Sequence, residues 1–250
     1  MERQRERVNA LKMLTLFALP LSLAAEPTFV YDLTVNGQPA GTRTVEIQYL
    51  MRPDGERRIL QVVTDLKLAS EAWKIRATSS SSSRGAAFTA SVDRGGKLSQ
   101  VQGVEQLEGG WRMNFADGKG TKEYAYSRND ARISSLDLYD PGRSWRLGSV
   151  GPFGIVLAET GDAVVGTLTE PVDATVLVDG VQVPVRRYSL TGTGGVATFD
   201  LDVQGQLVRS EMGFLGTTVV STLRKMPPLR AVDTVQTIEG LAVPIRTEEL

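Results

Sequence analysis

The sequence predicts an all-β protein: a curved antiparallel sheet, folded as a half-barrel, a barrel or a sandwich, with at most one short helix. Two observations carry that prediction. Apolar and polar residues alternate over many short runs, and glycine-rich turns separate the runs at near-regular spacing. A third observation limits the helix content, because residues 129–160 are the least regular part of the chain.

"TFVYDLTV" places Phe29, Tyr31, Leu33 and Val35 on one face and Asp32 and Thr34 on the other, the period of a strand. Asn36-Gly37 opens a loop, "NGQPAG", and "TRTVEIQYL" resumes the alternation with Val45, Ile47 and Tyr49. "RPDG" at Arg52–Gly55 is a turn, since proline presets φ and glycine accepts positive φ. "ILQVVTDLKL" then keeps Leu60, Val62, Leu66 and Leu68 in one register. The runs "AWKIRAT", "AAFTASV", "KLSQVQGVEQL", "WRMNF" and "EYAYS" follow, separated by "RGG", "EGG" and "DGKG". The serine run Ser79–Ser83 reads as a strand end or loop. In the irregular part, "LYDPGRSW" and "VGPFG" are loop-like, and "ARISSLDLY" is the place for a short helix. "ATVLVDGVQVPVRRYSL" is a hairpin turning at Asp179-Gly180, and "GVATFDLDVQGQLVRSEMGF" and "TTVVSTLR" complete the set. The domain spans 26–225, and the tail 226–250 is expected to be an added strand or an arm without fixed structure.

The first 25 residues stand apart. Arg3, Arg5, Arg7 and Lys12 precede an apolar stretch from Met13 that ends in the small residues Ala24 and Ala25. Basic, apolar, small is the order of a cleaved secretory signal, and the apolar part is too short to span a bilayer of roughly 30 Å. The expectation is a periplasmic or secreted protein with its mature N-terminus at Ala25 or Glu26. Removing residues 1–25 takes four basic and two acidic side chains and leaves a net charge of −3 in place of −1. No basic field argues for nucleic acid. There is no cysteine, so neither a disulfide nor a lipid-bearing cysteine is available. Histidine is absent too, which excludes Ser-His-Asp catalysis and removes the usual ligands of zinc and copper.

Two motifs invite chemistry and lose it in context. Asp200, Asp202, Gly205 and Glu211 have the spacing of a calcium loop. Such a loop needs helices on both sides, and the flanks are rich in Gly, Thr and Val. If 206–211 is a strand, Glu211 lies roughly 20 Å from Gly205 at about 3.3 Å per residue. A hairpin turn is expected and no metal site. "GTGGVA" at Gly192–Ala197 matches a dinucleotide fingerprint, but a strand follows it where a helix is required, so no nucleotide and no cofactor are expected. A carboxylate pair hydrolysing glycans is the enzymatic alternative, although Asp54, Asp117, Asp179, Glu46 and Asp65 all sit at turns or on solvent faces.

The aromatics are the candidate ligand site. Trp111, Met113 and Phe115 share a strand face, as do Tyr124 and Tyr126 on the next strand, and pairing across "DGKG" would bring the two sets together. With Tyr31 and Trp73 they form either core or one wall of an apolar groove. A plug around Ile133–Tyr139 would cover part of a concave face and leave the rest for a lipid or other apolar ligand.

"YDLTVNGQPAGT", "VPVRRYSLTG" and "FDLDVQGQLVRSE" resemble the opening and the closing hairpins of an exported bacterial β-sheet family called domain of unknown function 3108. The resemblance spans roughly residues 28–225 and implies a curved, half-barrel-like antiparallel sheet in the cell envelope, with no known activity and no catalytic residue. The functional expectation is therefore a non-enzymatic envelope protein with a binding or assembly role, its partner an apolar ligand or another envelope protein.

Overall fold

The computed structural model describes residues 28–226, apart from 53, 54, 149, 193 and 194. The expected signal segment and the tail beyond Met226 lie outside the described residues. Eight strands run as a meander: β1 (Thr28–Val35), β2 (Gln38–Arg52), β3 (Gly55–Leu68), β4 (Glu71–Ser82), β5 (Gly85–Arg94), β6 (Lys97–Glu105), β7 (Trp111–Asp117) and β8 (Gly120–Tyr126). The chain then forms β9 (Ile133–Ser134), a 3-10 turn (Ser135–Tyr139), helix α1 (Pro141–Ser144) and a second 3-10 turn (Trp145–Gly148). Eight further strands would be symmetrical, but seven follow: β10 (Gly151–Val156), β11 (Ala163–Leu168), β12 (Val172–Val178), β13 (Val181–Gly192), β14 (Gly195–Leu201), β15 (Leu207–Phe214) and β16 (Thr217–Leu223). All belong to one sheet. Its spatial order is β8 back to β1, then β16 down to β13, β11, β10 and β9, with β12 beside the first half of β13. The pairing is antiparallel except between β9 and β10.

The period-two pattern decides which face curls inward. β3 buries every second residue from Leu60 to Leu68, and the inward set of β1 is Phe29, Tyr31 and Leu33. Burying that face is favourable by about 25 cal/mol per Å² of apolar surface, which drives the sheet to curve on itself. The two sheet edges meet through side chains without a ladder between them. The Tyr126 hydroxyl on β8 donates to the Gly161 carbonyl, in the loop after β10, at 3.2 Å. Beside β10, a Cβ on Gly154 would stand 1.7 Å from the Asp130 carbonyl oxygen, so only glycine lets the returning chain pack there.

Residues 133–147 fill one end of the barrel. Ile133, Leu136, Leu138, Tyr139 and Leu147 join the cluster that holds Tyr31, Val45, Phe88, Trp111 and Phe199. The segment expected to hold a helix, "ARISSLDLY", is instead a two-residue strand and a 3-10 turn. Ser134 and Asp137 cap that turn reciprocally. The helix falls one step later, at Pro141–Ser144, where Asp140 accepts from the Gly142 N–H at 2.9 Å and proline takes the first helical position.

Further expectations need correction. "VGPFG", expected to be loop-like, opens strand β10 from Gly151 onward. "QPAG" is strand, not loop, because the turn is only Asn36-Gly37, with φ of 48° and 79°. Its pairing with β1 has a bulge at Ala40, between the pairs Leu33 with Gly41 and Thr34 with Pro39. Tyr49 alternates with Val45 and Ile47 as expected, yet it is exposed. The serine run ends β4 with Ser79 and Ser81 buried inside the barrel, where Ser81 donates to Asp140 at 2.8 Å.

Candidate functional site

The barrel interior is layered. At the plugged end, charges cross-link plug and wall. Arg143 on α1 pairs with Asp137 and with Glu105 of β6, and Arg146 also pairs with Glu105. Burial pushes the Glu105 carboxyl up, but the Arg146 and Arg143 guanidiniums outweigh it and hold the group below the usual carboxylate range. Asp140 binds Arg58 of β3 at 2.9 Å.

Above the plug lies a polar layer. Arg43 on β2 donates from Nε to Thr64 at 2.8 Å, donates to the Tyr139 hydroxyl, and pairs with Glu159 at 3.1 Å. Ser135 donates to the other Glu159 oxygen at 3.0 Å. Tyr31 donates to the Leu207 carbonyl at 2.9 Å and accepts from Gln206 at 2.8 Å, and burial raises its phenol well above the ordinary value. Arg43, Glu159, Ser135, Tyr31 and Gln206 are thus all paired, and together they form a polar floor across the barrel.

Beyond the floor the barrel becomes apolar again. Leu33, Leu66, Leu68, Trp73, Ile75 and Val92 form a second cluster, with Phe214 and Val219 against it. It opens into a cavity of about 640 Å³ at the end built from the 95–96 and 118–119 turns, the β10–β11 loop and the tip of the β15–β16 hairpin. Trp73, Val92, Leu98, Phe115, Tyr124 and Leu215 give its apolar lining. Lys97, Lys119, Lys122 and Arg94 stand among its polar residues, with Asp117, Glu159 and Asp162 as the acidic ones. Trp73 is held in place by Phe214, edge-on at 5.4 Å, and by Arg94, 4.9 Å over its ring. Burial, then the neighbouring Tyr126 and Asp162, raises the Tyr124 phenol to about 12, so it is a neutral hydrogen-bonding group at physiological pH.

Leu215 is the least ordinary residue of this lining. It sits at the first position of a two-residue hairpin turn with φ of 50°, and it is 58% exposed. Three other two-residue turns use Asn36-Gly37, Gly95-Gly96 and Asp179-Gly180, residues that tolerate positive φ, while the β3–β4 turn holds the smaller Ala69 at φ of 53°. A leucine there costs about 1–2 kcal/mol in backbone strain. Leu215→Asn is expected to stabilise the fold by roughly 1 kcal/mol, read as a higher urea midpoint at unchanged slope. An unchanged or lower midpoint would mean that the leucine is held by packing and carries no strain.

The sequence-derived candidates divide. Trp73 and Tyr124 line the cavity. Trp111 pairs with Tyr126, and Met113 with Tyr124, across the expected turn, so the aromatic faces do coincide. Yet Trp111 is 0% and Met113 1% exposed, and both lie in the main core together with Tyr31. Tyr126 closes the seam to Gly161. Asp200, Asp202 and Glu211 lie on a strand, a turn and a strand. Arg187 grips Asp200 with two bonds of 2.7 and 2.8 Å, Asp202 accepts from the Gln204 and Gln206 N–H groups, and Glu211 accepts from Arg209. The sequence reading missed Leu98 and Leu215, whose isolated positions give no period, and Glu159, Arg43 and Glu105, whose partners are distant in the chain.

No family model matches the chain, the domain of unknown function 3108 included, and no curated protein matches it. Its fold is similar to the crystal structure of a β-barrel-like protein of domain of unknown function DUF1849 from Brucella abortus, with a TM-score of 0.52. The two are 14% identical over 80% of this chain and 96% of that one. At that identity the likeness is one of fold, and the chain has an all-β, β-barrel-like architecture.

Proposed function

We propose that the protein is a non-enzymatic binding protein of the cell envelope that takes the apolar chain of a lipid or similar amphiphile into the barrel mouth. The observation that carries this reading is the cavity of about 640 Å³, apolar along Trp73, Leu98, Phe115, Tyr124 and Leu215, with lysines at its rim. Mouths of β-barrels are recurrent ligand sites, and this volume lies within the usual range for a small-molecule pocket. The strained, exposed Leu215 supports it, since an apolar residue kept at a position that favours asparagine needs a reason outside stability. The basic–apolar–small order of residues 1–25 supports export.

The glycan-hydrolase alternative has less to draw on, because the most buried carboxylates, Asp137, Asp140 and Asp200, are each paired with an arginine. A role as structural partner of another envelope protein would draw on surfaces other than the cavity.

The test is titration of lipid-stripped protein with dodecanoate and palmitate, read by tryptophan emission and by native mass. Saturable binding is expected, weakened about tenfold or more in Leu98→Asp/Leu215→Asp, which removes two contacts worth roughly 1 kcal/mol each. Trp73→Phe should abolish most of the fluorescence response while bound mass persists. A bare polypeptide mass with no emission change would sink the reading.

A further inference from the structure

A second cavity, of about 330 Å³, lies at the plugged end, opposite the apolar mouth. Its wall comes from the β4–β5 turn, the β6–β7 loop, the chain leaving β8, and Arg146 beside the plug. Four arginines line it, Arg84, Arg128, Arg132 and Arg146, against two glutamates, Glu105 and Glu108. Glu105 is already held by Arg143, from outside the lining, as well as by Arg146. Arg84, Arg128 and Arg132 have no carboxylate partner among the described residues.

These arginines are not all loose surface charges. Arg132 stands 5.5 Å from the Phe153 ring, which is itself fully buried, and its Nε is buried with no acceptor. The stem of Arg128 lies on Gly109, where a Cβ would come within 2.9 Å of the Arg128 Cδ. A side chain at residue 109 would push that stem away. Guanidiniums fixed in this way lose little freedom when an oxyanion arrives, and each offers a planar fork of donors to two oxygens at once.

We propose that this cavity binds a phosphate-bearing group, with Arg84, Arg128 and Arg132 as its ligands. Carboxylates are the weaker match, because three guanidiniums exceed the donors that two oxygens can use, whereas a phosphoryl group presents three oxygens. The volume is several times that of a bare phosphate, so the group belongs to a larger molecule, either a soluble phosphate ester or a phospholipid head. The inference does not rest on the apolar mouth, and Leu98→Asp/Leu215→Asp serves as its control.

The test is calorimetry at low salt with inorganic phosphate, glycerol phosphate and vesicles containing phosphatidylglycerol, on the full chain. Saturable binding is expected for glycerol phosphate or for the vesicles, and it should weaken at least tenfold in Arg132→Gln and in Arg84→Gln/Arg128→Gln. The second variant changes residues without a buried partner and guards against a folding defect. Arg112→Gln, on an exposed pair with Glu123, should leave binding unchanged. Arginine-dependent binding of glycerol phosphate identifies a soluble ester as sufficient, and binding of vesicles alone identifies the lipid head. Equal affinity in all arginine variants, or no binding of any probe at millimolar concentration, overturns the proposal.

Discussion

Arg143→Met is expected to destabilise the protein by about 3–5 kcal/mol, a fall of roughly 1 M or more in the urea midpoint. Arg143 is the guanidinium between two buried carboxylates, Asp137 and Glu105, and it ties the plug to β6. Its removal leaves Asp137, 1% exposed, with a charge that no water reaches. Glu105 keeps Arg146, so the larger part of the loss comes from Asp137. The double variant Arg143→Met/Asp137→Leu should regain much of that loss, because it removes the stranded charge as well as its partner. The pH dependence has a definite sign. Burial already pushes the Asp137 carboxyl up, and loss of the guanidinium pushes it further. The folded variant then takes up a proton that the unfolded chain releases, so its stability rises as pH falls below neutrality. In the wild type, Glu105 is held below its ordinary value, and the stability it contributes disappears as pH falls through that lowered pKa. The two stability curves should therefore converge in acid. A constant gap from pH 7 to pH 4 would mean that Arg143 acts by packing alone.

Trp111→Ala should also lower stability by about 3–5 kcal/mol, with little direct effect on an apolar ligand. The indole is fully buried at the start of β7, tilted against Phe88 at 5.5 Å. Deleting it opens a cavity in the main core that the surrounding strands cannot fill without shifting. Urea unfolding measures the cost. If Trp111→Ala instead left the midpoint near its original value and abolished binding of palmitate, the core placement and the proposed mouth would both be wrong.

Much of the sheet is legible in the sequence, and the reason is local. A strand side chain points inward or outward by its parity alone, so Phe29, Tyr31 and Leu33, or Leu60 to Leu68, declare their face without reference to any other strand. Turn chemistry is equally local. Asn36-Gly37 and Asp179-Gly180 supply positive φ, and the rejected calcium loop at Asp200–Glu211 follows from its strand-forming flanks. The plug could be placed because residues 129–160 break the period, although its cap at Asp140-Pro141 was a local signal left unread. The tertiary structure alone decided where along the barrel axis each inward residue lies. Trp73 and Trp111 have the same parity and the same chemistry, yet one lines the mouth and the other is sealed beneath the plug. That difference depends on how far the plug reaches, and so on Arg43, Asp137, Arg143 and Glu159, charged residues whose partners lie from 6 to 116 positions away. Parity is a property of one strand and can be read from it. Depth is a property of the closed barrel, and it exists only once both sheet edges and the plug have come together.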